Sequence, residues 1–270
     1  DFVAEHRFSA AFVDLYLVPL GASIWSAEPA AFDQYPLRPL LAFLDHHGLL
    51  DLRTRPQWMT VSGGSRTYVR AITAELGDRV RLGSPVERVT RSEDKVEVAS
   101  RAGTEVFDHV VVAGHSDQAL ALLGDPTPAE QEVLGAIRYV ANEATLHTDR
   151  AMLPRSPRAW AAWNYHRLAG DQDQVAVTYD MNRLQRLGAV EPICVTLNRH
   201  ADIDPATVLA RIDYAHPVYD PPSDAARRRR DEISGRNRTS YVGAYWHNGF
   251  HEDGVRSAVE ACRPLGSRWA

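Results

Sequence analysis

Near the end of the chain stands YVGAYWHNGFHEDGVRSAVEAC, residues 241–262. An apolar run from Tyr241 to Trp246 meets a glycine-containing turn, and the pattern predicts a helix from about Glu252. A helix start offers backbone N–H groups without intrahelical acceptors and a partial positive charge, which suits a phosphate or another electron-rich ligand atom. Gly254 would let such a ligand approach the backbone closely, and Asp253 is placed to cap the helix. The same pattern also describes an ordinary capped helix behind an edge strand.

Other constellations point to less. His247 and His251 are four apart in HNGFH, but the intervening turn argues against one helical face and no HExxH is present, so no metal site is expected. His115, His147 and His166 could each act as acid or base near neutrality. GHSDQ at 114–118 holds His, Ser and Asp together, yet adjacent residues do not make a triad and GxSxG is missing. The RRRR run at 227–230 is balanced by Asp224, Asp231 and Glu232 and reads as a solvated helix face.

The elements that must position these residues follow from periodicity. An amphipathic helix is predicted over the first residues, ending before Pro19. A second, in YPLRPLLAFLDHHG, stops at Gly48. A third, in GGSRTYVRAITAELG, has Tyr68, Val69, Ile72 and Leu76 at helical spacing and ends at Gly77. The period then changes to two. RVRLG, PVERVTRSEDKVEVASRAGTEVF and DHVVVAG read as strands, with turns at Glu93-Asp94 and Ala102-Gly103. Val110, Val111 and Val112 form a continuous apolar run, expected to be a parallel strand buried on both faces. SDQALALLG reads as a helix capped by Ser116 or Asp117, and TPAEQEVLGAI as one with Pro128 near its first position. Residues 139–200 read as strand-rich, DAARRRRDEIS as one charged helix, and the opening stretch as strand, turn and helix. The expected architecture is α/β (α+β), one domain interrupted by another.

The chain has 270 residues, 44% hydrophobic and 24% charged, with a formal net charge of −5. That is globular composition with no electrostatic pull toward nucleic acid. Cys194 and Cys262 are far apart and make no disulfide framework. No apolar run reaches the length of a membrane span and no signal peptide is recognised, so a cytoplasmic protein without a transmembrane segment is expected.

Residues 241–262, together with PQWMTVSGGSRTYVRAI, VVVAGHSDQALALLGDPT, LHTDRAMLP, AWAAWNYH, VTYDMNRLQRL and VTLNRH, resemble FAD-dependent oxidoreductases related to amine oxidases, and within them a bacterial group of predicted FAD/NAD-binding proteins. The resemblance covers most of the chain in order. It implies an FAD-binding domain of the glutathione-reductase type with an inserted, strand-rich substrate domain. It divides the chain into a helical segment (1–60), part of the FAD domain (61–125), the substrate domain (126–238) and a C-terminal FAD segment (239–270). Such proteins open with GxGxxG between a strand and a helix. That fingerprint is missing, and SGGSR at 62–66 lacks its spacing. The resemblance therefore implies that the first βαβ unit precedes residue 1, and that residues 1–270 by themselves are inactive and bind FAD poorly.

By position, the resemblance nominates Val86 for the adenine, Gly63, Gly64 and Ser65 for the loop beside the isoalloxazine, and Gly243, Glu252, Asp253, Gly254 and Val255 for the flavin ring and pyrophosphate. Val86 could equally be a plain strand residue, and residues 63–65 a plain helix cap. Trp160, Trp163, Tyr165, Tyr179, Tyr245 and Trp246 are the aromatic candidates for a substrate pocket, or else core. Many amine oxidases hold a lysine near flavin N5. Lys95, the single lysine, follows an acidic turn between two predicted strands and cannot fill that place. The implied activity is hydride transfer from a substrate C–H to flavin N5. Because related flavoproteins desaturate or isomerise lipids, a small lipid-like substrate is the expectation. The alternative is a flavin-free scaffold or lipid-binding module on a decayed flavoprotein fold. Nothing in the sequence sets the catalytic residues, the electron acceptor or the oligomeric state.

Overall fold

The first helical run does not stop at Pro19. In the computed structural model, which describes residues 2–25, 35, 37–51, 53, 56–168 and 174–267, α1 (Phe2–Glu5) and α2 (Ala10–Phe12) lead into a π-helical turn, Val13–Leu17, and α3 (Val18–Trp25) continues through the proline. The wider π turn, closed by the Val18 N–H on the Val13 carbonyl, lies just ahead of the residue that has no N–H to give. α4 (Leu37–His46) and α5 (Arg66–Leu76) follow as expected, with Gly48 and Gly77 at their ends.

RVRLG is not a strand. Gly77–Arg79 makes a short 3-10 turn and the chain enters the sheet only at β1 (Val86–Arg91). β2 (Val96–Ser100) and β3 (Gly103–Phe107) complete an antiparallel three-stranded sheet in sequence order. β4 (Val110–Val112) leads to α6 (Ser116–Leu122), whose N-cap is His115 rather than Ser116 or Asp117. α7 (Pro128–Gly135) opens with Pro128 behind Thr127, which exchanges hydrogen bonds with Glu130.

The strand-rich block is β5 (Tyr139–His147), β6 (Trp163–Tyr165), β7 (Val177–Asp180), the short α8 (Met181–Gln185) and β8 (Cys194–Leu197). β9 (Val208–Pro217) was not anticipated, although VLARIDYAHP alternates with period two. The single charged helix divides into α9 (Pro221–Arg227) and α10 (Arg230–Ile233). Its arginines are not all solvated. Arg230 is buried, donating to Glu260 Oε2 at 2.6 Å and to the Ser257 carbonyl at 2.9 Å. β10 is only Thr239–Tyr241, shorter than the apolar run suggested, and α11 runs from His251 to Cys262.

These elements form two units made of separated stretches. Unit 1 contains Asp1–Tyr35, Leu44–Arg70 and Val140–His216, and unit 2 contains Pro36–Phe43, Ala71–Tyr139 and Pro217–Ala270. The fold is mixed α/β with one unit interrupted by the other, as the sequence implied. In unit 2 the two ends of the interruption are tied together. The Val218 N–H donates to the Arg138 carbonyl at 2.8 Å, and Arg138 Nη2 pairs with Asp220 Oδ2 at 2.9 Å.

Unit 2 packs Val89, Val112, Leu134, Ile137, Tyr241 and Trp246 into one apolar core. Through it runs a buried polar knot. Arg91 makes a two-pronged contact with Glu130, Nη1 to Oε1 at 2.9 Å and Nη2 to Oε2 at 2.8 Å, while its Nε reaches Asp125 Oδ1 at 2.8 Å. The Tyr241 hydroxyl donates to Glu130 Oε1 at 2.6 Å. The knot ties β1, α7 and β10 together. Burial opposes ionisation of Glu130, but the bonds from Arg91, Tyr241 and the Thr127 N–H outweigh it and hold the carboxyl below its ordinary range.

Unit 1 is a five-stranded sheet in the order β6-β7-β8-β5-β9. The register pairs Trp163 with Tyr179, Tyr179 with Val195, and Ala144 with Leu197, so these side chains share a face. That face packs on Ala22 of α3. The opposite face is polar and buried, with Thr145, His147, Thr178 and Thr196 at 0–1% exposure. It carries a continuous hydrogen-bonded chain. The Asp149 N–H donates to His147 Nδ1 at 3.1 Å, so the ring proton sits on Nε2 and goes to Thr196 Oγ1 at 2.7 Å. Thr196 and Thr178 share a bond of 2.8 Å. Arg199 Nη1 faces His166 Nδ1 at 2.8 Å and can only donate, so His166 also carries its proton on Nε2, toward Thr178 Oγ1 at 2.8 Å.

Candidate functional site

β4 and β10 are parallel, with Thr239 opposite Val110, Ser240 opposite Val111 and Tyr241 opposite Val112. The Val242 N–H extends the ladder to the Val112 carbonyl at 3.0 Å. The expected burial on both faces does not hold. Val112 is 6% exposed but Val111 is 38% exposed, because only one face of β4 packs on the core. Parallel strands of an open sheet bind ligands outside their carboxyl ends. Here those ends run into Gly114 and Gly243.

After Gly243 the chain makes a 3-10 turn, Ala244–Trp246, and then α11. Gly243 is extended and a side chain there would run into the Tyr245 ring. Its N–H donates to Ser257 Oγ at 2.9 Å, which in turn donates to the Gly254 carbonyl at 2.8 Å, so strand end and helix start are fixed together. Asp253 turns away from solvent: its Oδ2 accepts from the Asn248 N–H at 3.2 Å and the Phe250 N–H at 3.0 Å. It shapes the turn rather than facing outward. Gly249 in that turn has φ +94°, and a Cβ would lie 2.6 Å from the Tyr219 hydroxyl. A Cβ on Gly254, by contrast, would meet nothing nearer than the Ala244 nitrogen at 4.0 Å. The helix start is open at that glycine.

Tyr245 and Trp246 are buried beside it. Trp246 Nε1 donates to the Tyr241 carbonyl at 3.0 Å. The Tyr245 hydroxyl is buried and has no hydrogen-bond partner among the described residues. Burial raises its pKa, so it keeps its proton and remains a donor. At the end of β4, the His115 ring stacks on Tyr139 at 4.4 Å with 11° between the planes, and the Tyr139 hydroxyl accepts from the Ser116 N–H at 3.0 Å. Gly114, Tyr139 and Ser257 were not nominated for a ligand site from the sequence, and His115 only as one of three candidate acids or bases. The glycine after VVV was the signal that could have found Gly114 and His115.

The structure thus gathers Gly243, Tyr245, Trp246, Asp253 and Gly254 in one place. Glu252 and Val255 are exposed on the same helix, Val255 at 46%. Val86 begins β1 beside a register shift and is 38% exposed. Gly63, Gly64 and Ser65 stand in unit 1, in a tight turn with φ +81° and +79° at the glycines, closed by the Gly64 N–H on the Val61 carbonyl. Trp163, Tyr165 and Tyr179 share the α3 face of the unit 1 sheet, where Trp163 and Tyr179 meet edge to face at 5.5 Å. Trp160 is apart from them, on the wall of a separate cavity. Lys95 pairs with Glu97 at 2.8 Å on the exposed hairpin.

Residues 5–186 match the family described as flavin containing amine oxidoreductase. The chain belongs to that family. Solved structures share its fold at low identity. A CLA-producing fatty acid isomerase from P. acnes is 16% identical with a TM-score of 0.57, over 92% of this chain and 63% of the isomerase. Cyclohexylamine oxidase from Brevibacterium oxydans IH-35A is 13% identical with a TM-score of 0.60, over 98% of this chain and 67% of the oxidase. Putrescine oxidase bound to putrescine is 12% identical with a TM-score of 0.53, over 76% and 54%. The chain spans less than two thirds of the isomerase. No curated protein matches it by sequence. The family's cofactor is FAD. The residues present fit it: Gly254 leaves room beside the ends of two parallel strands, and the Tyr245 hydroxyl has a proton to give to an electron-rich group. Among the described residues no helix is long and apolar enough to cross a membrane.

Proposed function

We propose that this protein acts as an FAD-dependent oxidoreductase whose unit 2 holds the flavin at the ends of β4 and β10. The buried, unpartnered Tyr245 hydroxyl beside the open Gly254 carries this reading. When bound, the flavin supplies two-electron oxidation, accepting hydride from a substrate C–H at N5. Gly254 admits the ligand to the start of α11, and Asp253 and Ser257 hold that start against Gly243. Tyr245 donates one hydrogen bond. His115, stacked on Tyr139, is the imidazole at the β4 end. His147 and His166 are fixed as neutral rings in the polar layer of unit 1 and take no such part.

Within the substrate domain expected over residues 126–238, the part in unit 1 would meet the substrate, with Trp163, Tyr165 and Tyr179 as its apolar, aromatic wall. That wall, and the commitment of Lys95 to a surface hairpin, favour a lipid-like substrate over an amine. Val86 and residues 63–65 are assigned to the adenine and the isoalloxazine loop by position alone. The test is an FAD titration of the protein expressed from its complete reading frame, read by visible absorbance, beside Gly254→Val. Wild type should hold flavin and the variant should not. A colourless wild type with excess FAD ends the enzyme reading in favour of a flavin-free scaffold. Equal binding by both removes α11 from the site. Anaerobic mixing with an unsaturated fatty acid should bleach the flavin, and bleaching only by a primary amine overturns the lipid reading.

A further inference from the structure

A cavity of about 690 Å³ opens in unit 1 where β5 and β7 end and β8 and β9 begin. This volume is in the range of small-molecule sites. Side-chain hydrogen bonds fix the loops around it. Asn182 Nδ2 donates to the Ala189 and Glu191 carbonyls at 3.3 and 2.9 Å, and its Oδ1 accepts from the Ile193 N–H at 3.2 Å, which sets the loop before β8. Asp149 accepts from the Ala151 and Asp204 N–H groups at 2.8 and 3.0 Å, which sets the turn after β5. Trp160 Nε1 donates to the Pro154 carbonyl at 2.7 Å, leaving its ring as a flat apolar wall.

The groups not so committed carry charge. Arg150 lies 5.3 Å over the Trp160 ring and has no ion pair or hydrogen bond from its guanidinium among the described residues. Arg183 spends its Nε on the buried Asp180 at 3.1 Å, and its two terminal nitrogens have no partner among the described residues. The Glu191 carboxylate, on the loop before β8, is likewise unpaired among them. Of the charged residues that line the cavity, Arg183 pairs with Asp180, which leaves Arg150 on the β5 side and Glu191 on the β8 side without an ion pair among the described residues. Arg150 and Glu191 do not pair with each other. A ligand bearing a single charge would satisfy one and face repulsion from the other.

We propose that this cavity binds a small zwitterion, with its carboxylate on the Arg150 and Arg183 guanidinium groups, its ammonium toward Glu191 and an apolar body along Trp160. Bidentate guanidinium donors match a carboxylate, and a fixed pocket loses little freedom on binding. All lining residues belong to unit 1, so the site requires no flavin and stands whether or not the oxidoreductase reading does.

Isothermal titration of the whole protein tests this with three probes: L-phenylalanine, 3-phenylpropionate, which lacks the ammonium, and phenethylamine, which lacks the carboxylate. Phenylalanine should bind, and each analogue should bind about 10- to 100-fold more weakly. Arg150→Ala should weaken phenylalanine by a similar factor and leave phenethylamine unchanged. Glu191→Gln should weaken phenylalanine and leave 3-phenylpropionate unchanged or tighter. Both substitutions are at the surface and preserve the fold, which circular dichroism checks. No heat with phenylalanine at millimolar concentration, equal binding of all three probes, or indifference to both substitutions overturns the proposal.

Discussion

Replacing Arg91 with methionine removes one half of a charge pair that has no access to water. The Arg91 and Glu130 side chains are 2% and 1% exposed. Without the guanidinium, Glu130 keeps only the Tyr241 hydroxyl and the Thr127 N–H and hydroxyl as donors. Breaking a buried pair from one side costs about 3–5 kcal/mol, because the remaining charge is left uncompensated. Arg91→Met/Glu130→Met removes both charges and should be clearly more stable than Arg91→Met alone. Urea unfolding followed by far-ultraviolet circular dichroism measures both. The pH dependence is a second signature. In the wild type the Glu130 pKa is depressed, so its contribution is present above the unfolded value of about 4.3 and is lost as pH falls through the lower folded value. In Arg91→Met burial dominates and raises that pKa, so the variant should recover stability as pH falls toward the acid range. A loss below about 1 kcal/mol for Arg91→Met, or a double variant that loses the sum of the two singles, would refute the argument.

Three further outcomes are expected. Gly249→Ala should cost about 1–3 kcal/mol in the same unfolding assay, since φ +94° disfavours alanine and the Tyr219 hydroxyl would crowd its Cβ. His166, its pKa lowered to about 4 by burial and then by Arg199, should stay neutral with the proton on Nε2 in nitrogen-15 NMR down to that pH. Its folded pKa lies below the unfolded one of about 6.5, so its share of stability is full above 6.5 and falls as pH drops toward 4. Cys194 is buried and its thiol is pushed up to about 12, so iodoacetamide should leave it unlabelled in the native protein while unfolding exposes it.

The sequence was most legible where one local signal decides. Gly48 and Gly77 end their helices, Thr127-Pro128-Glu130 starts one, and the two turns between β1 and β3 fall where Glu93-Asp94 and Ala102-Gly103 put them. It was least legible where tertiary context overrides the local rule. Pro19 reads as a stop because a π turn cannot be seen in composition. Val111 reads as buried because a run of three valines does not say which face is covered. Tyr241–Trp246 reads as one strand, yet the chain leaves the sheet at Gly243 to seat the Tyr245 ring. In the candidate site, Asp253 and Gly254 were read from the helix-start pattern and Gly243 from the resemblance alone. His115 and Tyr139 were not grouped, because their stacking joins the starts of α6 and β5, 23 residues apart along the Ser116–Tyr139 contact that supports it.

The tie between Arg138 and residues 218 and 220 bears on how the chain assembles itself. β4 cannot meet β10 until Val110 and Thr239 come together across the whole of Val140–His216. If that stretch closes first, its ends are already joined and the remaining search covers only the short arms on either side. The entropy saved, as three-halves RT times the logarithm of the loop-length ratio, is about 1 kcal/mol. The closed insertion would then act as a short splice, handing β10 to β4 without a search across its whole length.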